Sequence, residues 1–573
     1  MDPRDPSRLV IKLRPFQREN RESFKSGGEP TVCGKRGYMT VFRSASLVLA
    51  LLLLGLVGQN LGARPALPDA GVNKKRSSTP DVAGFDRQHG PHFDFECNVT
   101  GGGMNTTLDC DDPLPNNEPD IEVNPMNPLN MVASSNDFGS CCDQYYTTFD
   151  GGLTWSTGNM SIEKPLKIGS DPVTVFDVKH GTAIHSSLSF SVQHASGTQA
   201  CDGDVLVSPS HNGGLSWDKV VVVDDGVGCD FSKSQLFNDK EWIVTDNHAS
   251  SPFYGRTYLT WTRFESSFGA YLRSAIFESH SDDGGDTWSR AQEISGSNGA
   301  LCTFQVSGPV GQCDENQFSV PTVGPDGTVY VAFENEQNQA LWEPGEFFDD
   351  QYLLVKSTDG GRTWSSPSFI VGLEDGSNDY PINVGGRQTL TGYQLRVNSA
   401  GNIVASPIHG TLFLVFSDNR NGVHDSANPV TNTDVFLMVS SNGGASWSGP
   451  TRVDRGGGDQ WFPWVEVSPR TGTIGILYHD RGLSNGPLYN TAFADGTPAA
   501  LAKTIVNAAP SNPTNSIFFR ARVAGCEACA TFHGDYNNVS FGSDGVANLT
   551  WTDMSTFVPA ANGFAQFIVY RRK

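Results

Sequence analysis

"YTTFDGGLTW", residues 146–155, places an Asp, two glycines, a Thr and a Trp within ten positions. The pattern recurs four times further along the chain, as "SPSHNGGLSW" (208–217), "SHSDDGGDTW" (279–288), "VKSTDGGRTW" (355–364) and "MVSSNGGASW" (438–447). An internal repeat of this kind indicates that the fold is built from copies of one structural unit.

Each copy lies between two short apolar runs, which predicts a hairpin turn between two strands. The Asp or Asn accepts backbone hydrogen bonds, the glycines supply positive φ, and the Trp covers the turn. These positions are Asp150, Asn212, Asp283, Asp359 and Asn442, followed by Trp155, Trp217, Trp288, Trp364 and Trp447. Because Asn lacks the charge that a catalytic carboxylate needs, the alternation of Asp and Asn predicts a structural role.

Two other patterns repeat in step with these turns. Seven segments open on a polar residue and read as inner strands, starting at residues 120, 171, 239, 317, 394, 460 and 535. Each is followed by a second apolar strand, as in "GTVYVAFENE" (327–336) and "GTLFLVFSDNR" (410–420). A four-stranded unit that repeats every 50 to 80 residues or so is typical of a β-propeller blade.

The sequence therefore predicts an all-β fold, a propeller of four-stranded blades, with seven blades favoured and six as the alternative. The last unit ends after its third strand, "FAQFIVY" (564–570). We expect its fourth strand to come from the N-terminal segment "HFDFECNV" (92–99), which would close the ring and remove an open edge.

The five turns resemble the Asp-box (bacterial neuraminidase repeat) motif, and residues 92–573 resemble the sialidase-like Asp-box propellers. This resemblance implies a glycan-active protein whose site lies on the face opposite the Asp boxes. Sialidases of the family have six blades. The motif also occurs in other glycosidases and in receptors without enzymatic activity, so the fold alone does not define the function.

The N-terminus contains a strongly apolar run, "LVLALLLLGLV" (47–57), which is short for a membrane span. Counted from Met39, it follows a short basic region and precedes small residues near Ala63, as a secretory signal does. We predict a leader over residues 1–63 with the true start at Met39, a flexible linker over 64–91, and one propeller domain over 92–573. The protein would be secreted, extracellular or periplasmic; a signal anchor is the alternative.

The formal net charge of −22 disfavours nucleic acid and anionic membranes as partners, and we expect a monomer that binds a glycan or glycoconjugate. Ten of the eleven cysteines follow the leader, an even number that fits disulfides. Close spacing suggests the pairs Cys97 with Cys110, Cys201 with Cys229, Cys302 with Cys313, and Cys526 with Cys529. The alternative for the last pair is a metal site with His533.

Inner-strand starts and second-strand ends share the rim opposite the turns, and both carry polar residues. The inner-strand starts include four carboxylates that could hold a structural Ca²⁺, although no cofactor is required: Asp120, Asp171, Asp239 and Asp535. The alternative is that they cap strand ends and bind water.

The second-strand ends and nearby loops supply candidates for chemistry on a glycan. Substrate-binding candidates are Arg263, Arg420, Arg481, Glu334 and the loop residue Trp342. Catalytic candidates are Asp480, Asp418, Tyr536 and His533. The alternative for each Asp–Arg pair is a structural tie between a loop and its own strand.

The sequence departs from the sialidase pattern in the first blades. It has no Arg-Ile-Pro motif and no arginine between Arg87 and Arg256, so the N-terminal arginine of the family's triad is missing. A glycoside hydrolase acting on an acidic glycan is the favoured function. A non-catalytic glycan- or protein-binding propeller and a polysaccharide lyase are the alternatives.

Overall fold

The computed structural model describes part of the chain, within the compact unit Arg43–Lys573. The described residues are 98–100, 105–109, 115–138, 142–162, 168–193, 199–336, 350–376, 378–382, 388–393, 396–425, 427–482, 486–513, 532–558 and 563–573. They contain strands and turns but no α-helix, so the all-β prediction is confirmed.

The strands form antiparallel four-stranded meanders in chain order. The first meander contains β3 to β6, and β1 adds to its outer edge beside β6. Its strands are β1 (Asn98–Thr100), β3 (Asn116–Val123), β4 (Met131–Asp137), β5 (Gln144–Thr148) and β6 (Thr154–Asn159).

The second and third meanders belong to one eight-stranded sheet, because β9 and β11 meet in a parallel pair at Gly203 and Phe237. The second meander has β7 (Ile168–Asp177), β8 (Thr182–Gln193), β9 (Gln199–Ser210) and β10 (Val221–Asp224). The third has β11 (Ser234–Thr245), β12 (Thr257–Ser267), β13 (Ala270–Ser281) and β14 (Gln292–Glu293).

The fourth, fifth and sixth meanders are separate four-stranded sheets. The fourth contains β15 (Asn316–Val323), β16 (Val329–Asn335), β17 (Gln351–Ser357) and β18 (Ser368–Gly372). The fifth contains β19 (Ile403–Ala405), β20 (Leu412–Asp418), β21 (Asp434–Ser440) and β22 (Ser448–Arg452). The sixth contains β23 (Gln460–Val467), β24 (Ile474–Asp480), β25 (Asn490–Thr497) and β26 (Ala500–Ile505).

The seventh sheet combines both ends of the described chain, in the order β2, β31, β28, β27. Its strands are β2 (Thr106–Thr107), β27 (Asn538–Phe541), β28 (Ala547–Asp553) and β31 (Phe567–Arg572), with a small hairpin of β29 (Phe557–Val558) and β30 (Gly563–Phe564) before β31.

An N-terminal strand therefore does pair with the last meander, but the predicted segment was wrong. Thr106 and Thr107 pair with β31. Of the segment 92–99, the described residues belong to β1, where Val99 pairs with Trp155. The remainder of that segment lies outside the described residues. A two-residue strand has no periodicity, so the sequence pattern could not identify it.

The prediction for the inner strand of the fifth meander was also wrong. The strand that pairs with β20 is β19, which begins at Ile403, and not a strand that starts at residue 394. Just before β19 the backbone already bonds β20, and a Cβ at Gly401 would lie 2.1 Å from the carbonyl oxygen of Val415. The backbone approaches β20 too closely at this point for any other residue type.

The five recurrent turns join the third and fourth strands of the first five meanders. In the first turn, Asp150 Oδ1 accepts the backbone N–H groups of Leu153 (3.0 Å) and Thr154 (2.9 Å), and its Oδ2 accepts the Thr154 hydroxyl (2.6 Å). Asn212 keeps the first type of bond, from the N–H of Ser216 at 3.0 Å, and donates to the Ser216 hydroxyl instead. Charge is thus dispensable at this position.

Successive inner strands contact one another along the chain, and the last contacts the first. Asp120 on β3 accepts the backbone N–H of Thr174 on β7 at 2.8 Å and the Nδ2–H of Asn538 on β27 at 2.7 Å. Ser540 on β27 also donates to Glu122 at 3.0 Å. β3, the inner strand of the first meander, is therefore bonded to the inner strands of both the second and the seventh meander.

Two of the predicted disulfides are confirmed, Cys201–Cys229 and Cys302–Cys313. The pairs suggested for Cys97 with Cys110 and for Cys526 with Cys529 lie outside the described residues, as do the leader and the linker. Within the part of the chain that the structure describes, no helix has the length and hydropathy required to cross a bilayer.

Candidate functional site

The starts of inner strands and the ends of second strands lie opposite one another, as the strand patterns predict. Gln317 pairs with Glu334, and Gln460 pairs with Asp480. In an antiparallel meander the third strand ends at the opposite end from the second, and the recurrent turns follow the third strands. The inner-strand starts and second-strand ends therefore form the rim opposite the turns.

Five inner strands carry a bulge near their start, seen as a register shift in strand pairing. At each bulge one residue other than glycine has a positive φ: Glu118 (54°), Asp171 (58°), Lys240 (53°), Phe318 (53°) and Phe462 (52°). This conformation is unfavourable for side chains with a Cβ, and such strained residues concentrate at functional sites. The repetition of the strain at equivalent positions directs attention to the side chains beside it.

Three of these residues belong to a group of ionisable side chains that we call the Lys240 cluster. It is defined by Glu118, Asp171, Asp239, Lys240, Asp535 and Tyr536. Lys240, Asp535 and Tyr536 line one cavity together with Trp242 and Trp464. The charges of Asp171, Asp535 and Lys240 all influence the pKa of Glu118 and of Asp239. The cluster is therefore one electrostatic unit. Its residues come from the inner strands β3, β7 and β11 and from the segment just before β27.

Lys240 is held by aromatic rings. Its Nζ lies 3.5 Å from the centroid of the Tyr536 ring and 5.0 Å from that of Trp242. The residue is only 6% exposed, and among the described residues its Nζ has no hydrogen-bond partner. Cation–π attraction is strong at desolvated sites, so the rings stabilise the buried ammonium group, whose N–H donors have no acceptor among the described residues.

Glu118 and Asp171 form a carboxyl pair. Burial, followed by the charge of Asp171, raises the pKa of Glu118 well above its usual value, and the two side chains share a hydrogen bond. Asn136 positions both residues: its Nδ2–H donates to Glu118 Oε2 at 2.7 Å, and its Oδ1 accepts the N–H of Asp171 at 2.8 Å. Burial and the charge of Asp171 therefore both favour the protonated form of Glu118.

Asp239 is half-buried, and its Oδ2 accepts the Nε2–H of Gln317 at 2.9 Å. Burial, followed by the charge of Asp171, raises its pKa to about 7, although Lys240 opposes that rise. A carboxyl group with a pKa near neutrality can both give and take a proton under ordinary conditions.

Asp535 is fixed by two donors from the loop before β19. Arg396 Nη2–H bonds Oδ2, and Asn398 Nδ2–H bonds Oδ1 at 3.0 Å. Its carboxylate is therefore a structural anion that holds Arg396 beside the cluster.

The three predicted substrate-binding arginines each bond a different carboxylate. Arg263 bonds Asp224, Arg481 bonds Asp459, and Arg420 forms a forked pair with its neighbour Asp418. Each guanidinium also lies over an aromatic ring: Phe277 at 3.7 Å, Tyr393 at 4.6 Å and Phe436 at 4.7 Å respectively. Of the three, only the Arg420–Asp418 contact is a pair of the kind that the structural alternative describes, because Arg263 and Arg481 bond carboxylates on other segments of the chain.

The predicted acids Asp418 and Asp480 are also engaged in ion pairs. Asp418 is fully buried and bonded to Arg420, and Asp480 is 4% exposed and bonded to Lys503 at 2.5 Å. Their predicted catalytic role stays a prediction, with these contacts as its structural context.

The other predicted residues differ in placement. Tyr536 belongs to the Lys240 cluster. His533 is 1% exposed and accepts the Trp461 Nε1–H at 3.3 Å; burial lowers its pKa to about 3, so it is neutral. Glu334 is buried, and burial raises its pKa well above the usual value. Trp342 lies outside the described residues.

The four carboxylates predicted to hold Ca²⁺ have separate surroundings. Asp171, Asp239 and Asp535 belong to the Lys240 cluster, whereas Asp120 bonds the neighbouring inner strands. Within the described ranges, the two side-chain groups spaced to hold a metal ion are Glu374 with Asp379 and His424, and Asp202 with Asp204 and Asp225.

Sequence reasoning missed Glu118, Lys240 and Arg396. A usable signal existed for Lys240, because "DKEWIV" (239–244) places two adjacent charged residues, Lys240 and Glu241, at the bulge, where the other bulged inner strands carry at most one. Arg396 was missed because the segment that starts at residue 394 was interpreted as an inner strand, whereas the structure places Arg396 before β19, where it bonds Asp535.

No protein-family model and no curated protein matches the chain. Similar solved structures include a Hadza microbial sialidase (11% identity, TM-score 0.40, covering 77% of this chain and 73% of that chain). An α-L-arabinanase of Penicillium chrysogenum, complexed with arabinobiose, is also similar (11% identity, TM-score 0.40, covering 71% of this chain and 99% of that chain). A polysaccharide lyase of the PL25 ulvan lyase type is a third similar structure (9% identity, TM-score 0.42, covering 80% of this chain and 96% of that chain). With such TM-scores, function has to be argued from the residues of this chain.

Proposed function

We propose that the chain is a glycoside hydrolase acting on an acidic glycan, with the Lys240 cluster as its reaction centre. The observation that carries the proposal is the half-buried Asp239, whose pKa is raised to about 7 by burial and then by the charge of Asp171. Two carboxyl groups with different proton affinities are what glycosidic bond cleavage requires.

The proposed fold is a seven-bladed propeller with one blade per meander. Its support is the set of hydrogen bonds between β27 and β3, which would join the last blade to the first. The six-bladed alternative would leave one of the seven meanders of the described chain without a place in the ring.

In the proposed reaction, the protonated Asp239 donates its proton to the glycosidic oxygen as the bond to the sugar's anomeric carbon breaks. The Asp171 carboxylate either takes a proton from a water molecule that attacks that carbon, or attacks it directly; in the second case water then cleaves the glycosyl ester, gives its proton to Asp239 and regenerates both groups. Lys240 would bind the carboxylate of the glycan, because its N–H donors have no protein acceptor among the described residues.

The test is hydrolysis of a panel of sialosides, uronic-acid oligosaccharides and neutral oligosaccharides by the purified mature chain. We expect turnover of at least one acidic substrate. Replacement of Asp239 by Asn should lower kcat by about 10²-fold or more, while Asp218→Asn, at an exposed position directly after the second recurrent turn, should leave it unchanged. Equal turnover by Asp239→Asn and wild type would overturn the assignment.

The same panel separates the alternatives. Binding of an acidic glycan without any product would favour the non-catalytic propeller. An unsaturated product, detected by its ultraviolet absorbance, would favour the lyase. Against the lyase, burial raises the pKa of Tyr536 and lowers that of His533 to about 3, so neither group is poised as a base near neutrality.

We also propose that the chain is exported and acts as a monomer. Two disulfides in the described residues support an oxidising compartment, and the net charge of −22 supports a soluble partner other than nucleic acid. N-terminal sequencing of the protein recovered from the culture medium, together with its molar mass by light scattering, would test both statements.

A further inference from the structure

We propose that Glu374, Asp379 and His424 bind a divalent transition-metal ion of the Zn²⁺ class. One ligand atom from each residue lies within 4.8 Å of the other two. His424 Nδ1 is 2.7 Å from Asp379 Oδ1 and 4.0 Å from Glu374 Oε2. Two carboxylate oxygens and an imidazole nitrogen form a recognised donor set for zinc.

The three residues come from two loops on the rim opposite the recurrent turns. Glu374 and Asp379 follow β18, which ends at Gly372, and His424 lies between β20 and β21. A bound ion would therefore join the loop that leaves the fourth meander to a loop of the fifth.

Asn419 holds these loops in place, and it is fully buried. Its Nδ2–H donates to the carbonyl oxygen of Asp379 at 2.5 Å, and its backbone N–H donates to that of Glu374 at 3.1 Å. The second loop is tied to the first by the N–H of Asp425, which donates to the carbonyl oxygen of Asn378 at 3.0 Å. Backbone bonds of this kind fix donor positions before a metal binds.

The surroundings carry excess negative charge. Asp418 Oδ2 accepts the backbone N–H of Glu374 at 3.0 Å, and Asp375 is the next residue in the chain, so two further carboxyl groups lie beside the site. Arg420, the cation nearest in sequence, is paired with Asp418. A site with two carboxylates in such a field attracts a cation more strongly than an isolated pair would.

The imidazole distinguishes a zinc-type ion from Ca²⁺ or Mg²⁺, which prefer oxygen donors only. The Glu374 and His424 side chains are 27% and 24% exposed, so water can supply a fourth ligand. An ordinary imidazole–carboxylate ion pair would also place the two atoms 2.7 Å apart, and the experiment must separate these cases.

The full mature chain, freed of metal by dialysis against a chelator, is titrated with Zn²⁺, Mn²⁺ and Ca²⁺ by calorimetry, and bound metal is counted by mass spectrometry. We expect one tightly bound Zn²⁺ per chain and a rise in Tm on binding. His424→Ala and Asp379→Asn should each weaken zinc binding by about 10-fold or more. Asp202→Asn, in the other carboxylate group, is the matched control and should bind zinc as wild type does.

Substitution by Co²⁺ supplies a readout of direct ligation, because the visible spectrum of cobalt should change in His424→Ala even if that variant still binds metal. Absence of stoichiometric Zn²⁺, binding of Ca²⁺ alone, or zinc binding unaffected by both variants would overturn the site. None of these outcomes depends on whether the chain hydrolyses a glycan.

Discussion

The Lys240 ammonium lies 3.5 Å above the ring of Tyr536, although the two residues are almost 300 positions apart in the chain. Glu118, Asp239 and Glu241 all have a raised pKa, and in each case Lys240 limits the rise. One cation placed over an aromatic ring thus lowers the pKa of several neighbouring carboxyl groups, against the larger effect of burial.

Lys240→Met should therefore raise the pKa of Asp239 above about 7, because a stabilising positive charge is lost while burial and Asp171 remain. Carboxyl ¹³C NMR of aspartate-labelled protein would measure the titration, with Asp239→Asn identifying the signal. Lys219→Met, at an exposed site, should leave that titration unchanged. A fall in the pKa of Asp239 would contradict the proposed electrostatic coupling.

Glu466 gives a prediction on stability and pH. Burial raises its pKa from 4.5 to about 7, so the folded chain keeps a proton that the unfolded chain releases above pH 4.5. Stability is consequently lost as pH rises through this window. Glu466→Gln preserves an acceptor for the Val467 N–H, bonded at 2.7 Å. It should raise the free energy of unfolding at about pH 8 by ~1–3 kcal/mol.

Urea unfolding at about pH 8 and near pH 4 would check this, because wild type and Glu466→Gln should have similar stability at the lower pH, where the group is protonated in both states. Equal stability at both pH values would show that Glu466 ionises in the folded protein as readily as in water.

The first recurrent turn predicts different effects for two substitutions of one residue. Asp150→Asn should change Tm little, since Asn212 and Asn442 make equivalent bonds to the backbone. Asp150→Ala removes every one of these acceptors and should cost about 1–3 kcal/mol. Thermal unfolding of the two variants is the measurement, and a large loss in the Asn variant would imply that the charge itself matters.

Phe268 occupies an unfavourable position at the tip of the β12–β13 hairpin. It has φ of 51°, is followed by Gly269 with φ of 73°, and is 79% exposed. Two positive φ values define a turn that favours Asn-Gly. Phe268→Asn should raise stability by about 1 kcal/mol, because Asn tolerates the left-handed region better than Phe. Phe268→Ala, which removes the ring but retains the Cβ, should give no comparable gain in Tm.

Much of the strand order could be predicted from the sequence, because apolar segments next to turn residues report local structure. β16 and β20 follow Gly-Thr pairs and end on the polar residues Asn335 and Asp418, and both are where the pattern put them. β2 and β19 were not predicted correctly, since two- and three-residue strands depend on their partners for definition.

The site was harder to predict for a different reason. The sequence places Asp171, Asp239 and Tyr536 on the correct rim, but not which of them meet. Lys240 and Glu118 reach the cluster through bulges with positive φ, and a bulge changes the direction of a side chain without leaving a regular signal in composition. The arginines were prominent in sequence, and the structure gives each its own carboxylate.

The bonds from Asp120 to Asn538 and from Glu122 to Ser540 connect residues separated by 418 positions. During synthesis, the first inner strand emerges long before its partner on β27 exists. β3 therefore lacks these hydrogen bonds until β27 has been synthesised, and cooperative folding of the whole domain cannot be complete before then. A ribosome stalled shortly before residue 538 would carry an incomplete array with its first and last edges unpaired.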